Sequence, residues 1–94
     1  MAGICIIRCK NSGVFMGEII ERNGREIRIK NARRIWYWKG AASLSQLSQE
    51  GVSQPKECKF PREVPEEMVL DAIEIIPMSE VAISSIQGVP VWSA

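Results

Sequence analysis

Histidine is absent from the 94 residues, and with it go the commonest general base and the commonest metal ligand. A cysteine nucleophile therefore lacks its usual partner. No glycine-rich phosphate loop or dinucleotide fingerprint occurs either, so the familiar nucleotide-hydrolysing and hydride-transfer machines are excluded. No apolar run approaches the roughly 20 residues that cross a bilayer. Ile4, Ile6 and Ile7 are too few for the apolar region of a signal peptide. The expectation is a cytoplasmic protein with no membrane contact. Cysteine is scarce and odd in number: Cys5, Cys9 and Cys58 read as core thiols in a reducing compartment rather than as a disulfide framework. A structural zinc site wants four ligands in close pairs, which these positions do not offer. No cofactor and no metal are expected.

Basic residues are missing from the last third. All 12 Lys and Arg fall in residues 1–62, where five acids accompany them, while residues 63–94 carry six acids and no base. The simplest reading is that the two halves neutralise each other within the fold or across a subunit interface. A sharper alternative is a basic surface for an anionic ligand. The composition is otherwise that of a folding chain, 46% apolar and 24% charged, far from the disordered regime. The length suits one domain over residues 1–94 with one small core. Such a core confers marginal stability, so burial against copies of itself is expected and the chain reads as a homo-oligomer.

The β-branched run Gly3 to Cys9, ended by Lys10-Asn11-Ser12-Gly13, reads as a strand, and Val14 to Arg22 as a second. Glu21-Arg22-Asn23-Gly24-Arg25 signals a hairpin. A two-residue Asn-Gly loop sets Glu21 against Glu26, a like-charge pair. A three-residue loop sets Glu21 against Arg25, Ile19 against Ile27 and Glu18 against Arg28, and is preferred. It places Phe15, Ile19, Ile27 and Ile29 on one inner face. Asn31-Ala32 breaks the pattern, and Arg33 to Lys39 follows as an aromatic strand by propensity. Ser43-Leu44-Ser45-Gln46 fits a capping box for a short helix to about Gln49, stopped by Gly51. Val52 to Pro65 reads as irregular, pinned by Val52, Cys58 and Phe60. Met68 to Met78 reads as one long strand, too apolar in the middle for an edge and so placed centrally. Ser79 caps a last helix with Ile83 and Ile86 on one face, closed by Gly88. Val89-Pro90-Val91-Trp92 is an extended tail expected to dock on something, a neighbouring subunit included. The class is α+β: a small, strongly bent antiparallel sheet or partial barrel with two short helices.

Chemistry concentrates in Arg33-Arg34-Ile35-Trp36-Tyr37-Trp38-Lys39, three aromatics and three cations in seven residues. Alternation puts Arg34, Trp36 and Trp38 on one side and Arg33, Ile35, Tyr37 and Lys39 on the other. Aromatic rings stack on bases and arginine grips phosphate, so the candidate ligand residues are Arg33, Arg34, Trp36, Trp38 and Lys39. The competing reading is that the rings pack inward while the Arg stems cover them. The acidic group Glu63, Glu66, Glu67, Asp71 and Glu74 matches no known metal spacing; a metal-dependent phosphodiesterase is a minor alternative. No catalytic residue is assigned, and the chain reads as a binder rather than an enzyme.

The stretch Asn31 to Ala41 (NARRIWYWKGA), with Ser43-Leu44-Ser45-Gln46-Leu47, Glu57-Cys58-Lys59-Phe60, Ala72-Ile73-Glu74-Ile75-Ile76 and Val89-Pro90-Val91-Trp92, resembles a family of small proteins of unknown function encoded by tailed phages and prophages. The resemblance spans nearly the whole chain and brings no catalytic or binding residues with it. It implies an accessory factor working in the host-cell cytoplasm. In type, though not in motif, the composition is similar to anti-defence sponges: small homo-oligomers that trap a nucleotide-derived immune messenger, a cyclic nucleotide or an ADP-ribose derivative. The alternatives are a single-stranded nucleic-acid-binding module and a protein-interaction factor acting on a host enzyme.

Overall fold

The computed structural model describes residues 3–93. Five strands, β1 (Ile4–Cys9), β2 (Val14–Asn23), β3 (Glu26–Arg34), β4 (Val64–Val69) and β5 (Ala72–Pro77), and two helices, α1 (Leu44–Glu50) and α2 (Glu80–Gln87), make up the fold, with one 3-10 turn at Pro55–Glu57. The strands form one antiparallel sheet in the order β4-β3-β2-β1-β5. This is the expected small, strongly bent α+β architecture.

The bend follows from connectivity. β4 and β5 occupy opposite edges of the sheet, yet only Leu70 and Asp71 separate them. From Val69 to Ala72 is three Cα–Cα steps, at most about 11 Å, so the sheet must curl until its edges meet at that end. The Ala72 N–H bonds the Arg25 carbonyl at 3.1 Å, and the Lys10 N–H bonds the Asp71 carbonyl at 2.9 Å, fastening the seam. Register shifts within the β2–β3 ladder leave one extra residue on β3 around Asn31 and one on β2 at Ile20. Bulges of this kind bend and twist a strand. Asn31 has φ 53, a left-handed conformation that asparagine tolerates better than most residues. The pattern break at Asn31-Ala32 is thus a bulge inside a continuing strand.

The curled sheet divides the core. Its concave side holds Ile7, Phe15, Ile27 and Ile29 with Cys5 and Cys9. Its other face holds Ile6 and Met16 beneath Leu47, Phe60, Ile86 and Val89 from the helices and the connecting segments. Successive residues of β1 from Cys5 to Ile7 feed alternate sides, which is why that part of the strand reads as unbroken apolar sequence. Each large side chain so buried contributes roughly 1.5–3 kcal/mol. The expected inner face of Phe15, Ile19, Ile27 and Ile29 is the observed one, with Ile19 partly buried.

Both helix caps form as the sequence dictates. Ser43 Oγ accepts from the Gln46 N–H at 3.2 Å, and Ser79 Oγ accepts from the Ala82 N–H at 3.1 Å. The Gln46 side chain reaches back one residue further than expected, to the Ala42 N–H at 2.8 Å.

Three expectations are corrected. The hairpin pairs Asn23 with Glu26 across a Gly24-Arg25 loop, and Glu21 faces Arg28, not Arg25. Gly24 has φ 64 and Arg25 does not share a positive φ, the pattern of a turn that demands glycine first. Arg28 is the better partner because it also reaches Glu66 of β4 at 2.7 Å. Second, Met68 to Met78 is not one central strand. It breaks at Leu70-Asp71 into β4 and β5, both at edges. The apolarity of β5 arises because Ile75 packs on the concave cluster and Ile76 on the opposite one. Third, Arg33 to Lys39 is not a strand. β3 ends at Arg34, and beyond it only Tyr37 bridges to Lys59. The tail docks as expected, and does so on its own chain: Val91 bridges Phe60, and the Trp92 N–H bonds the Phe60 carbonyl at 3.0 Å.

Candidate functional site

At the end of β3 the chain leaves the sheet, and alternation sends Arg33 and Arg34 to opposite faces. Arg34 lies opposite Phe15, with its guanidinium 4.6 Å from the centroid of that ring. Its Nη1 donates to the Ser12 carbonyl at 2.8 Å, and its Nη2 stands 3.6 Å from Glu67. The planar group is fixed by the short bond at Nη1, loosely ion-paired at Nη2, and 40% exposed.

Trp36 and Trp38 follow beyond the end of β3. Trp38 is half-buried against Ile35 and its neighbours, and its Nε1–H bonds the Ala41 carbonyl at 3.2 Å. Trp36 has no such berth and is 63% exposed. With the Ser12-Gly13 turn, Arg34, Trp36 and Trp38 line a cleft of about 280 Å³. Three of the five expected ligand residues are therefore brought together, although Ile35, expected on the opposite side, lines the same cleft.

Arg33 does not join them, and its assignment as a ligand residue is corrected. It is 5% exposed. Its Nε donates to the Pro61 carbonyl at 3.1 Å, Nη1 to Ile86 at 3.0 Å, and Nη2 to Phe60 at 3.2 Å and Val89 at 2.8 Å. The guanidinium also faces the Phe60 ring at 5.5 Å. Desolvation pushes its pKa down, opposed by the charge of Glu63. An arginine whose donors are so engaged fixes the fold and has little left for a phosphate. Lys39 is exposed but does not line the cleft. Its backbone is tied to Cys58, whose Sγ accepts from the Lys39 N–H at 3.4 Å.

Sequence reasoning missed two groups. Asn11, Ser12 and Gly13, read only as a turn, form a wall of the cleft. Asp71 holds that turn, accepting from the Asn11 N–H at 2.7 Å and from Ser12 Oγ at 2.5 Å. These bonds hold its carboxyl below the usual range, the Ser12 hydroxyl contributing most. The second group is a separate aromatic patch, where Lys59 Nζ lies 5.9 Å from the Tyr37 centroid and 5.6 Å from that of Trp92. No local signal joins Tyr37 to Trp92; the bridge through Phe60 does so.

The charge asymmetry is met in part inside the fold. Arg8–Glu74 at 2.8 Å, Arg28–Glu66 at 2.7 Å and Arg34–Glu67 at 3.6 Å each join the basic half to the acidic one. Among the described residues no group of three or more His, Cys, Asp or Glu is placed to hold a metal ion, and no helix is long and apolar enough to cross a membrane.

Fold and cleft together define a small α+β protein with a curled five-stranded sheet and an aromatic, cationic surface cleft beside the end of β3. The chain belongs to the family described as Domain of unknown function (DUF6948), whose model matches residues 2–86. That match includes every residue of the cleft and stops before the Trp92 tail. No curated protein and no solved structure matches the chain.

Proposed function

We propose that this is a phage-type binding protein that sequesters a small nucleotide-derived signal, with Trp36 as the stacking platform and Arg34 on the phosphate. The supporting observation is the pairing of an indole held in water, 63% exposed, with an anchored arginine on the rim of one cleft. A base laid on such a ring gains roughly 1–3 kcal/mol, and a guanidinium fixed at one end loses little freedom on meeting a phosphate. Trp38 is the floor of the site, already held by Ala41. The role is binding, not catalysis, and the place of action is the host-cell cytoplasm.

Size argues for an assembly. The cleft, about 280 Å³, falls just below the range of ligand sites, roughly 300 to 1,000 Å³. One base and its phosphate suit it; a cyclic dinucleotide or an ADP-ribose derivative needs a second wall. A neighbouring copy supplies that wall in the homo-oligomer proposed here. Isothermal titration against cyclic dinucleotides and ADP-ribose derivatives tests the reading: at least one saturable isotherm is expected, and a flat response across the panel overturns it.

A second reading rests on the Tyr37–Lys59–Trp92 patch, whose two rings are 47% and 45% exposed. Exposed rings around a cation are also how single-stranded nucleic acid is held. Gel shifts with oligonucleotides at two salt concentrations separate the two, because affinity for a strand falls steeply with salt.

A further inference from the structure

β5 bonds to β1 along one side only. The Met78 N–H reaches the Ile4 carbonyl at 3.1 Å, which makes Ile6 and Ile76 a directly bonded pair. Alternation then turns the backbone N–H and C=O of Ile75 away from β1. They open on a cleft of about 580 Å³ between β5 and the tip of the β2–β3 hairpin, lined by Ile27, Ile73, Ile75, Arg22 and Arg25 among others. The Ala72–Arg25 backbone bond closes one end of this slot.

Natural sheets guard an edge with charge, proline or a covering segment. Here Pro77 blocks only the far end, and Glu74 is engaged by Arg8 at 2.8 Å. Isoleucines flank Glu74 along this edge, Ile75 after it and Ile73, 44% exposed, before it. Arg22 donates its Nε to the Gly24 carbonyl at 3.2 Å. Among the described residues neither Arg22 nor Arg25 makes an ion pair. Two uncompensated guanidiniums beside an apolar, strand-shaped slot complement an extended segment that carries carboxylates. A second copy presenting its own β5 brings Glu74 already paired, so the acidic complement must come from another chain.

We propose that the β5 edge takes up an extended acidic segment of a partner protein by strand addition, the backbone of Ile75 pairing with it and Arg22 and Arg25 selecting its carboxylates. The site shares no lining residue with the Arg34–Trp36 cleft, so either stands without the other.

Fluorescence anisotropy with labelled hexapeptides on the full chain tests this. The probes alternate Val with Glu, alternate Val with Lys, or repeat the Val–Glu sequence with alternate amides N-methylated in either phase. The Val–Glu peptide is expected to bind at least tenfold more tightly than the Val–Lys peptide, and one N-methylated phase to lose at least tenfold. An Arg22→Glu, Arg25→Glu double variant, altered only at exposed positions and checked for an unchanged circular dichroism spectrum, is expected to reverse the charge preference. No binding of the Val–Glu peptide, or binding blind to charge, overturns the proposal. So does a dimer in sedimentation that Ile73→Lys disperses, because the edge then belongs to a second copy.

Discussion

Arg33 donates a 2.8 Å hydrogen bond to the carbonyl of Val89, 56 positions further along the chain. The same side chain binds Phe60, Pro61 and Ile86, so one guanidinium closes the irregular segment and the end of α2 onto β3. Replacement by Met leaves buried carbonyls without donors, and replacement by Lys cannot span the fork. Arg33→Met and Arg33→Lys are each expected to lose about 3 kcal/mol of stability, the scale for breaking a buried charged network. Urea denaturation checks this as a lower midpoint at unchanged slope.

Asp71 makes the seam sensitive to acid. Its folded pKa lies below the ordinary carboxylate value, chiefly because Ser12 donates to it and secondarily because of the Asn11 N–H. A depressed folded pKa means stability that is present above the unfolded value of about 3.9 and lost as pH falls through the lower folded value. Thermal midpoints from pH 6 to pH 2 are expected to fall less steeply in Asp71→Asn than in the wild type, and the variant to start lower at pH 6. Parallel curves contradict the assignment.

The thiols are expected to be inert in the folded protein. Cys5, Cys9 and Cys58 are all buried, and desolvation pushes the Cys5 and Cys9 thiols up from their usual value, a nearby Ser12 hydroxyl opposing it at Cys9. The thiolate is the reactive form. With a disulfide reagent at pH 8, native protein should label slowly at all three positions, and protein in 6 M guanidinium should label at once. Rapid labelling of one thiol in the native state identifies a local opening instead.

Periodicity made the local elements and the inner face legible. The alternation of β1 and β2, the serines capping both helices and the Phe15–Ile29 face are consequences of short-range chemistry. Longer-range contacts decided the rest. The Leu70-Asp71 break has no glycine or proline to announce it, because the turn is held by Asn11 and Ser12 from the far side of the chain. Arg33 and Arg34 are indistinguishable by residue type, and only the end of β3 sends one inward to four carbonyls and the other to the cleft. Arg34, Trp36 and Trp38 do meet at one cleft, but the strand expected beneath them ends at Arg34 and Ile35 joins them there, so the path of the chain beyond β3 and not alternation brings them together.

The most direct measurement is a calorimetric titration of wild-type protein and Trp36→Ala with the panel of cyclic dinucleotides and ADP-ribose derivatives. Trp36 is exposed, so its removal should change stability by less than about 0.5 kcal/mol. The nucleotide that binds the wild type is predicted to lose about 1–3 kcal/mol of affinity in the variant, a weakening of roughly 5- to 150-fold. Equal affinity in both proteins, or heat from no member of the panel, contradicts a nucleotide site built on Trp36 and Arg34.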